Sequence, residues 1–156
     1  MEGWLRAGRC LLTRIANVKA RLFARWVAGA STAQLERVMR SPLRRILLWQ
    51  IFQTMRRRVD PARAAGVDAV IEFRIRRSGS SPAERAQVVI AGGRCTTSRG
   101  GERRPSVTLD MGPATFLALV GGASSAPKLM LQGRLWVWGD LVLAARLPEL
   151  LNIPKA

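Results

Sequence analysis

The stretch KLMLQGRLWVWGDLVLAARL, residues 128–147, contains two different hydrophobic periods. Apolar residues alternate with other residues over 128–138, which predicts a β-strand with one buried face. From Asp140 onward the apolar residues recur at three- and four-residue steps, which predicts a helix with Asp140 as its N-cap. The predicted strand directs four side chains inward: Leu129, Leu131, Leu135 and Val137. Trp136 and Trp138 therefore point from the opposite face, and something has to cover them.

The two-residue period first appears after Gly66. In AVIEFRIRR, residues 69–77, the apolar positions are predicted to face a core and Glu72 to face solvent. Further strands are predicted over 85–90, 94–97 and 106–110, followed by a helix from Pro113 that carries Phe116. The order predicts an α+β fold, in which a five-stranded, mainly antiparallel sheet has helices over one face.

The first 60 residues have a different character. They hold 13 basic and 3 acidic side chains, a net charge of +10, whereas residues 61–156 hold 13 and 7, a net charge of +6. Helical periodicity over 4–27 and 42–58, with Ser41 as N-cap of the second segment, predicts amphipathic helices. We therefore predict a basic helical extension over 1–60 and a folded domain over 61–156. The apolar stripes of the extension are expected to cover part of the face that bears Trp136 and Trp138.

Several chemistries lack their usual residues. The chain contains no histidine, and Cys10 and Cys95 have no metal-binding or redox spacing, so no metal or cofactor is expected. The ten acidic residues form no acid/base motif, and the glycines of residues 91–102 do not open a helix after a strand. Although the net charge of +16 suits an anionic partner, no nucleic-acid-binding motif is present, and we do not expect nucleic acid as the partner.

The segments ATFLALVGG (114–122) and APKLMLQGRLWVWGDLVLAARL (126–147) resemble the sterol carrier protein type 2 family. The shared pattern is a helix with a phenylalanine and leucines that ends in glycine, then a strand through Gln132-Gly133-Arg134, then a helix with Leu-Ala. The resemblance covers residues 68–151 in element order and is sharp over 115–147. In this chain Gly112-Pro113-Ala114 replaces the acidic residues that usually open the first of these helices.

The resemblance implies a non-enzymatic protein that binds or transfers a sterol, fatty acyl or isoprenoid lipid in an apolar cavity under the helices. An apolar, mostly pre-formed cavity with few polar groups suits such a ligand. The predicted cavity wall is Ile71, Phe73, Ile75, Phe116, Val120, Leu131, Leu135, Leu143 and Leu147. The alternative is an accessory or scaffold protein that presents a lipid or quinone precursor to biosynthetic enzymes.

The N-terminal helix has two predicted roles that the sequence leaves open. Its stripe either packs on the domain or docks on an anionic membrane surface. The docking set is Trp4, Arg6, Arg9, Leu12, Arg14, Ile15, Lys19, Arg21, Leu22, Arg25 and Trp26. The final residues Pro154-Lys155-Ala156 do not form a peroxisomal signal. We expect a cytoplasmic protein that contacts membranes peripherally.

Overall fold

A computed structural model describes residues 22, 25–42, 44–77 and 82–153. Residues 25–29 are helical and precede the numbered elements. In chain order these elements are α1 (Thr32–Arg40), α2 (Arg44–Arg58), α3 (Pro61–Ala64), β1 (Ala69–Ile75), β2 (Glu84–Ala91), β3 (Arg94–Arg99), β4 (Val107–Met111), α4 (Pro113–Val120), α5 (Ala126–Leu131), β5 (Leu135–Gly139) and α6 (Leu141–Leu150). The predicted α+β fold with one five-stranded sheet is therefore confirmed.

The sheet has the strand order β3-β2-β1-β4-β5. Neighbouring strands are antiparallel except β1 and β4, which are parallel and pair Phe73 with Leu109. A parallel pair needs a long connection, and here β2, β3 and the segment 100–106 supply it. The sheet is thus antiparallel-rich, as predicted.

The helices cover one face of the sheet, which we call the inner face. On β1 the inner side chains are those of Ala69, Ile71, Phe73 and Ile75, and all four are buried. Helix α2 lies over this face through four buried side chains spaced for one helical stripe: Leu48, Ile51, Phe52 and Met55. At its first turn Arg44 donates to the Glu84 carboxylate at 2.7 Å, which ties α2 to β2. Helix α1 packs on α4.

The structure confirms Asp140 as the N-cap of α6, and Asp60 caps α3 in the same way. The side chains of Asp60 and Asp140 accept hydrogen bonds from the backbone N–H groups of Ala62 and Leu143, both at 2.9 Å. Ser41 behaves differently, because its hydroxyl donates to the Val38 carbonyl at 2.8 Å and so closes α1. Its predicted role as the N-cap of the following helix stays a prediction, because Leu43 lies outside the described residues.

The opposite, outer face of the sheet buries a polar network. Glu72 and Gln87 are each 0% exposed, so the predicted solvent exposure of Glu72 is wrong. Glu72 accepts hydrogen bonds from Arg74 Nε at 2.6 Å, Arg85 Nη2 at 3.0 Å and Gln87 Nε2 at 3.0 Å. Burial would raise the pKa of the Glu72 carboxyl, but these donors outweigh it and hold the pKa below its ordinary value.

The segment 100–106 covers this network. Gln87 Nε2 donates to the Arg103 carbonyl at 2.7 Å, and the Arg103 N–H donates to Gln87 Oε1 at 3.0 Å. A Cβ atom at Gly101 would lie 2.7 Å from Arg85 Nη2 and 3.0 Å from Glu72 Oε2, so a side chain at this position would displace the Arg85 guanidinium from Glu72. A hydrophobic period in the sequence cannot predict that a loop will cover polar side chains.

The described N-terminal helices do not cover the two tryptophans. Helix α2 packs on the inner face, whereas Trp136 and Trp138 lie on the outer face and are 43% and 51% exposed. The prediction of cover is therefore wrong for residues 32–58, because their apolar stripes are used by the core around Phe73. The guanidinium of Arg76 lies over the Trp136 ring, 4.2 Å from its centroid.

The predicted strand over 128–138 is wrong in its first half. Ser125 and Pro127 begin helix α5, and Gly133, at φ 64°, turns the chain before β5 starts at Leu135. The alternation of Leu129 and Leu131 suggested a strand, but six residues are too few to distinguish the two periods. From Leu135 onward the alternation holds.

Candidate lipid-binding site

An apolar chamber lies between the inner face of the sheet and helices α4, α5 and α6. Its volume is about 170 Å³. Every lining residue is apolar: Phe73, Leu109, Leu119, Val120, Ala126, Pro127, Met130, Val137, Leu141, Ala144, Ala145, Leu147, Pro148, Leu151 and Ile153. Such a chamber offers a ligand contact with hydrocarbon and no side-chain hydrogen bond.

Local sequence accounts for the arrangement of the chamber walls. Gly112 and Pro113 begin α4, whose eight residues include six buried ones, so this short helix is held on nearly all sides. Helix α6 faces the chamber with Ala144, Ala145 and Leu147. Small alanine side chains on α6 leave the space that larger residues would fill.

A second, larger cleft lies between α2 and the strands β2 and β3. Its volume is about 700 Å³. The inner part is apolar, with Leu48, Phe52 and Ile75, whereas the exposed side chains of Arg45 and Arg99 stand at its rim. The remaining lining residues are Trp49, Gln53, Glu84, Arg85, Ala86, Thr97 and Ser98. The cleft thus combines an apolar floor with a basic rim.

Aromatic rings separate the two cavities. Phe52 lines the cleft and Phe73 lines the chamber, and their ring centroids are 5.6 Å apart in an edge-on arrangement. Phe116 completes the cluster, at 5.7 Å from Phe52 and 5.9 Å from Phe73. Where Phe52 and Phe73 meet, the partition consists of their packed side chains.

The structure places the predicted wall residues in four different environments. Phe73, Val120 and Leu147 line the chamber, and Ile75 lines the cleft. A further group is buried in the core that surrounds these cavities: Ile71, Phe116, Leu135 and Leu143. Leu131 is 91% exposed at the end of α5, so its predicted inward position is wrong. The inward residue of that segment is Leu129, which is fully buried.

Most of the predicted membrane-docking set lies outside the described residues: Trp4, Arg6, Arg9, Leu12, Arg14, Ile15, Lys19 and Arg21. Leu22, Arg25 and Trp26 are described, and all three are exposed. Val27 beside them is buried in the core. Residues 22–27 therefore include both exposed side chains, as membrane docking requires, and a side chain packed on the domain.

The described residues offer little reactive chemistry. Burial raises the pKa of the Cys95 thiol to about 11, and the positive charge of Arg56 offsets part of this rise. The thiol is therefore protonated at neutral pH and a poor nucleophile. Within the described ranges, no group of histidine, cysteine, aspartate or glutamate residues has the geometry of a metal site. No described helix is long and apolar enough to cross a bilayer.

The sequence profile of the SCP-2 sterol transfer family matches residues 50–152. The chain belongs to this family. The match begins inside α2, and Phe52 of that helix packs against Phe73 and Phe116 of the sheet and α4. The packing of the family domain is thus continuous across residue 60, where we predicted the division between extension and domain. Among proteins with curated function, no sequence matches this chain.

Solved structures with the same fold include two different kinds of protein. The apo form of Sterol Carrier Protein 2 from Yarrowia lipolytica has a TM-score of 0.55 and 19% identity, over 67% of this chain and 89% of that one. The stereoselective inverting sec-alkylsulfatase Pisa1 from Pseudomonas sp. has a TM-score of 0.53 and 17% identity, over 65% of this chain but 15% of the sulfatase. The fold therefore occurs both alone and as a small part of an enzyme, and function has to be argued from the site.

Sequence reasoning missed the cleft. Its floor residues Leu48 and Phe52 were assigned to an extension, and its basic rim combines Arg45 of α2 with Arg99 of β3, 54 positions apart in the chain. No local pattern links two such residues. The chamber, in contrast, is lined mostly by the segment 109–153, which contains the recognised motif.

Proposed function

We propose that this protein binds and transfers a lipid, whose hydrocarbon chain occupies the apolar chamber. The observation that carries the proposal is the wholly apolar lining of the chamber in a member of the SCP-2 sterol transfer family. Hydrocarbon burial alone can drive such binding, because each buried methylene contributes about 0.8 kcal/mol. A binding role needs no catalytic group.

The size of the chamber limits how the lipid fits. About 170 Å³ lies below the roughly 300–1,000 Å³ of typical small-molecule pockets. A 16-carbon chain offers about 13 kcal/mol of gross burial, which is near the upper end of an association cost of about 4–15 kcal/mol, whereas half that length offers about 6 kcal/mol, which is near its lower end. A long chain therefore has to widen the chamber or pass the rings of Phe52 and Phe73 into the cleft.

The cleft favours a lipid with an anionic end over a neutral sterol. Arg45 and Arg99 at its rim supply positive charge above the apolar floor of Leu48 and Phe52. A carboxylate or phosphate gains charge-assisted hydrogen bonds from guanidinium groups, and a single hydroxyl gains less. We therefore place the polar end of the lipid at this rim and its tail toward the chamber.

A chamber-filling variant tests the proposal. Ala144 lines the chamber, so Ala144→Phe should abolish binding of a fluorescent fatty acid by full-length protein. Ala91→Phe is the matched control, because Ala91 is exposed on the outer face at the end of β2 and should bind as the wild type does. Equal binding by both folded variants would place the lipid elsewhere.

Docking of the N-terminal segment on an anionic membrane remains part of the proposal. Leu22 is 59% exposed and follows five basic residues within 1–21. Co-sedimentation with anionic vesicles should therefore weaken in high salt and in a variant with charge-reversed Arg6, Arg9 and Arg14. Unchanged sedimentation of that variant would remove the segment from the contact.

A further inference from the structure

Exposed apolar side chains concentrate at one edge of the molecule. Among the described residues, ten large hydrophobic side chains are exposed, and six of them lie within residues 130–142. We call this set the β5 edge: Met130, Leu131, Trp136, Trp138, Leu141 and Val142. Leu131 is 91% exposed and Val142 is 72% exposed. Exposed apolar side chains that lie together on a folded protein often mark a binding surface.

The elements explain why these six side chains belong together. Strand β5 is the outermost strand of the sheet, α5 ends shortly before it and α6 begins directly after it. Met130 and Leu141 are exposed and also line the chamber, so the β5 edge borders the rim of the chamber. A ligand entering between α5 and α6 would meet these side chains first.

We propose that the β5 edge is a membrane-contact surface for an anionic lipid bilayer, through which the chamber exchanges its lipid. Residues 128–146 contain three basic side chains and one acidic side chain, so the apolar patch lies in a positively charged surrounding. Apolar side chains with flanking basic residues suit the boundary between headgroups and acyl chains. Trp136 and Trp138 suit the same boundary, since tryptophan prefers the membrane interface.

Charge also decides against two other occupants. A second copy of the chain would bring another net charge of +16 against the same surface. The N-terminal segment 1–21 holds five basic residues and one acidic residue, so it would place like charges beside Lys128, Arg134 and Arg146. An anionic bilayer meets both the apolar and the basic component of the surface.

The experiment compares full-length variants in vesicle co-sedimentation. Leu131→Gln combined with Val142→Gln removes apolar side chains without changing the net charge. Ile46→Gln is the matched control, because Ile46 is 60% exposed on α2, away from β5. With vesicles of phosphatidylcholine and phosphatidylglycerol, we expect about tenfold weaker binding or more for the double variant and no change for the control. The thermal midpoint of each variant establishes that it is folded.

The outcomes separate this proposal from lipid binding itself. The double variant should still bind a fluorescent fatty acid in solution, because neither exchanged side chain lines the chamber. Unchanged vesicle binding by the double variant would overturn the proposal, as would equal binding of the wild type to vesicles of phosphatidylcholine alone. A wild-type dimer that the double variant dissolves would assign the β5 edge to a second copy. The lipid exchange rests on the proposed function, so a wild type that binds no fatty acid would overturn both the proposed function and the exchange, whereas the membrane contact is tested by the vesicles alone.

Discussion

Phe73 is the residue at which stability and ligand access can be measured together. It is 2% exposed, lines the chamber and contacts the rings of Phe52 and Phe116. Phe73→Ala removes the ring and both aromatic contacts, which should lower the free energy of unfolding by about 3–5 kcal/mol. For a chain of this size the thermal midpoint should fall by about 6–20 °C.

Urea unfolding followed by circular dichroism measures the change. Phe73→Leu is the control, because it loses the ring contacts but keeps most of the apolar volume, and it should cost less than about 1.5 kcal/mol. Phe73→Leu should also release a bound fatty acid faster, since a smaller side chain then separates chamber and cleft. A cost below about 1 kcal/mol for Phe73→Ala would refute the partition, because a packed ring cannot be removed so cheaply.

Three further predictions concern the sheet and its thiol. The pKa of Glu72 is lower in the folded protein than in the unfolded chain, so its stabilising contribution is present above pH 4.5 and declines as the pH falls through the folded value. When the free energy of unfolding in urea is measured against pH, Glu72→Gln should lose less stability at acid pH than the wild type does. An unchanged loss would contradict the burial argument. In a Cys10→Ser background, Cys95 should react with a maleimide at pH 7 more than tenfold slower than free cysteine, because its pKa is about 11, and rapid labelling would contradict this. Gly139→Ala should destabilise the protein by more than about 2 kcal/mol, because its Cβ would overlap the backbone at the start of the neighbouring strand. Gly133→Ala meets open space and should cost about 1–2 kcal/mol for its positive φ alone. Equal urea midpoints for the two variants would reject the overlap.

The elements with a long, unbroken hydrophobic period were predictable. The alternation in β1 placed Ile71, Phe73 and Ile75 inward, and the structure buries all three. The alternation from Leu135 onward likewise placed Trp136 and Trp138 outward. These predictions held because side-chain direction in a strand depends on neighbouring residues alone.

The errors came from interactions between distant residues. Glu72 looks exposed in a two-residue period, yet it is buried because a loop some 30 residues further along closes over it. Leu131 fits the strand pattern of Leu129 and Leu135, but the turn at Gly133 resets the chain direction between them. The cleft required the position of α2 over β2, which the ion pair of Arg44 and Glu84 fixes across 40 positions.

The polar network on the outer face also determines where the protein can move. Glu72, Gln87 and the backbone of Arg103 join β1, β2 and the covering loop through hydrogen bonds that the inner cavities do not touch. The sheet is consequently the stiff wall of the molecule, and β1 and β2 should hold the slowest amide hydrogen exchange. The volume changes that admit and release a ligand then fall to α5 and α6, whose main contacts with the sheet are to β4 and β5. The protein therefore opens on the side of α5 and α6, while β1 and β2 keep their positions.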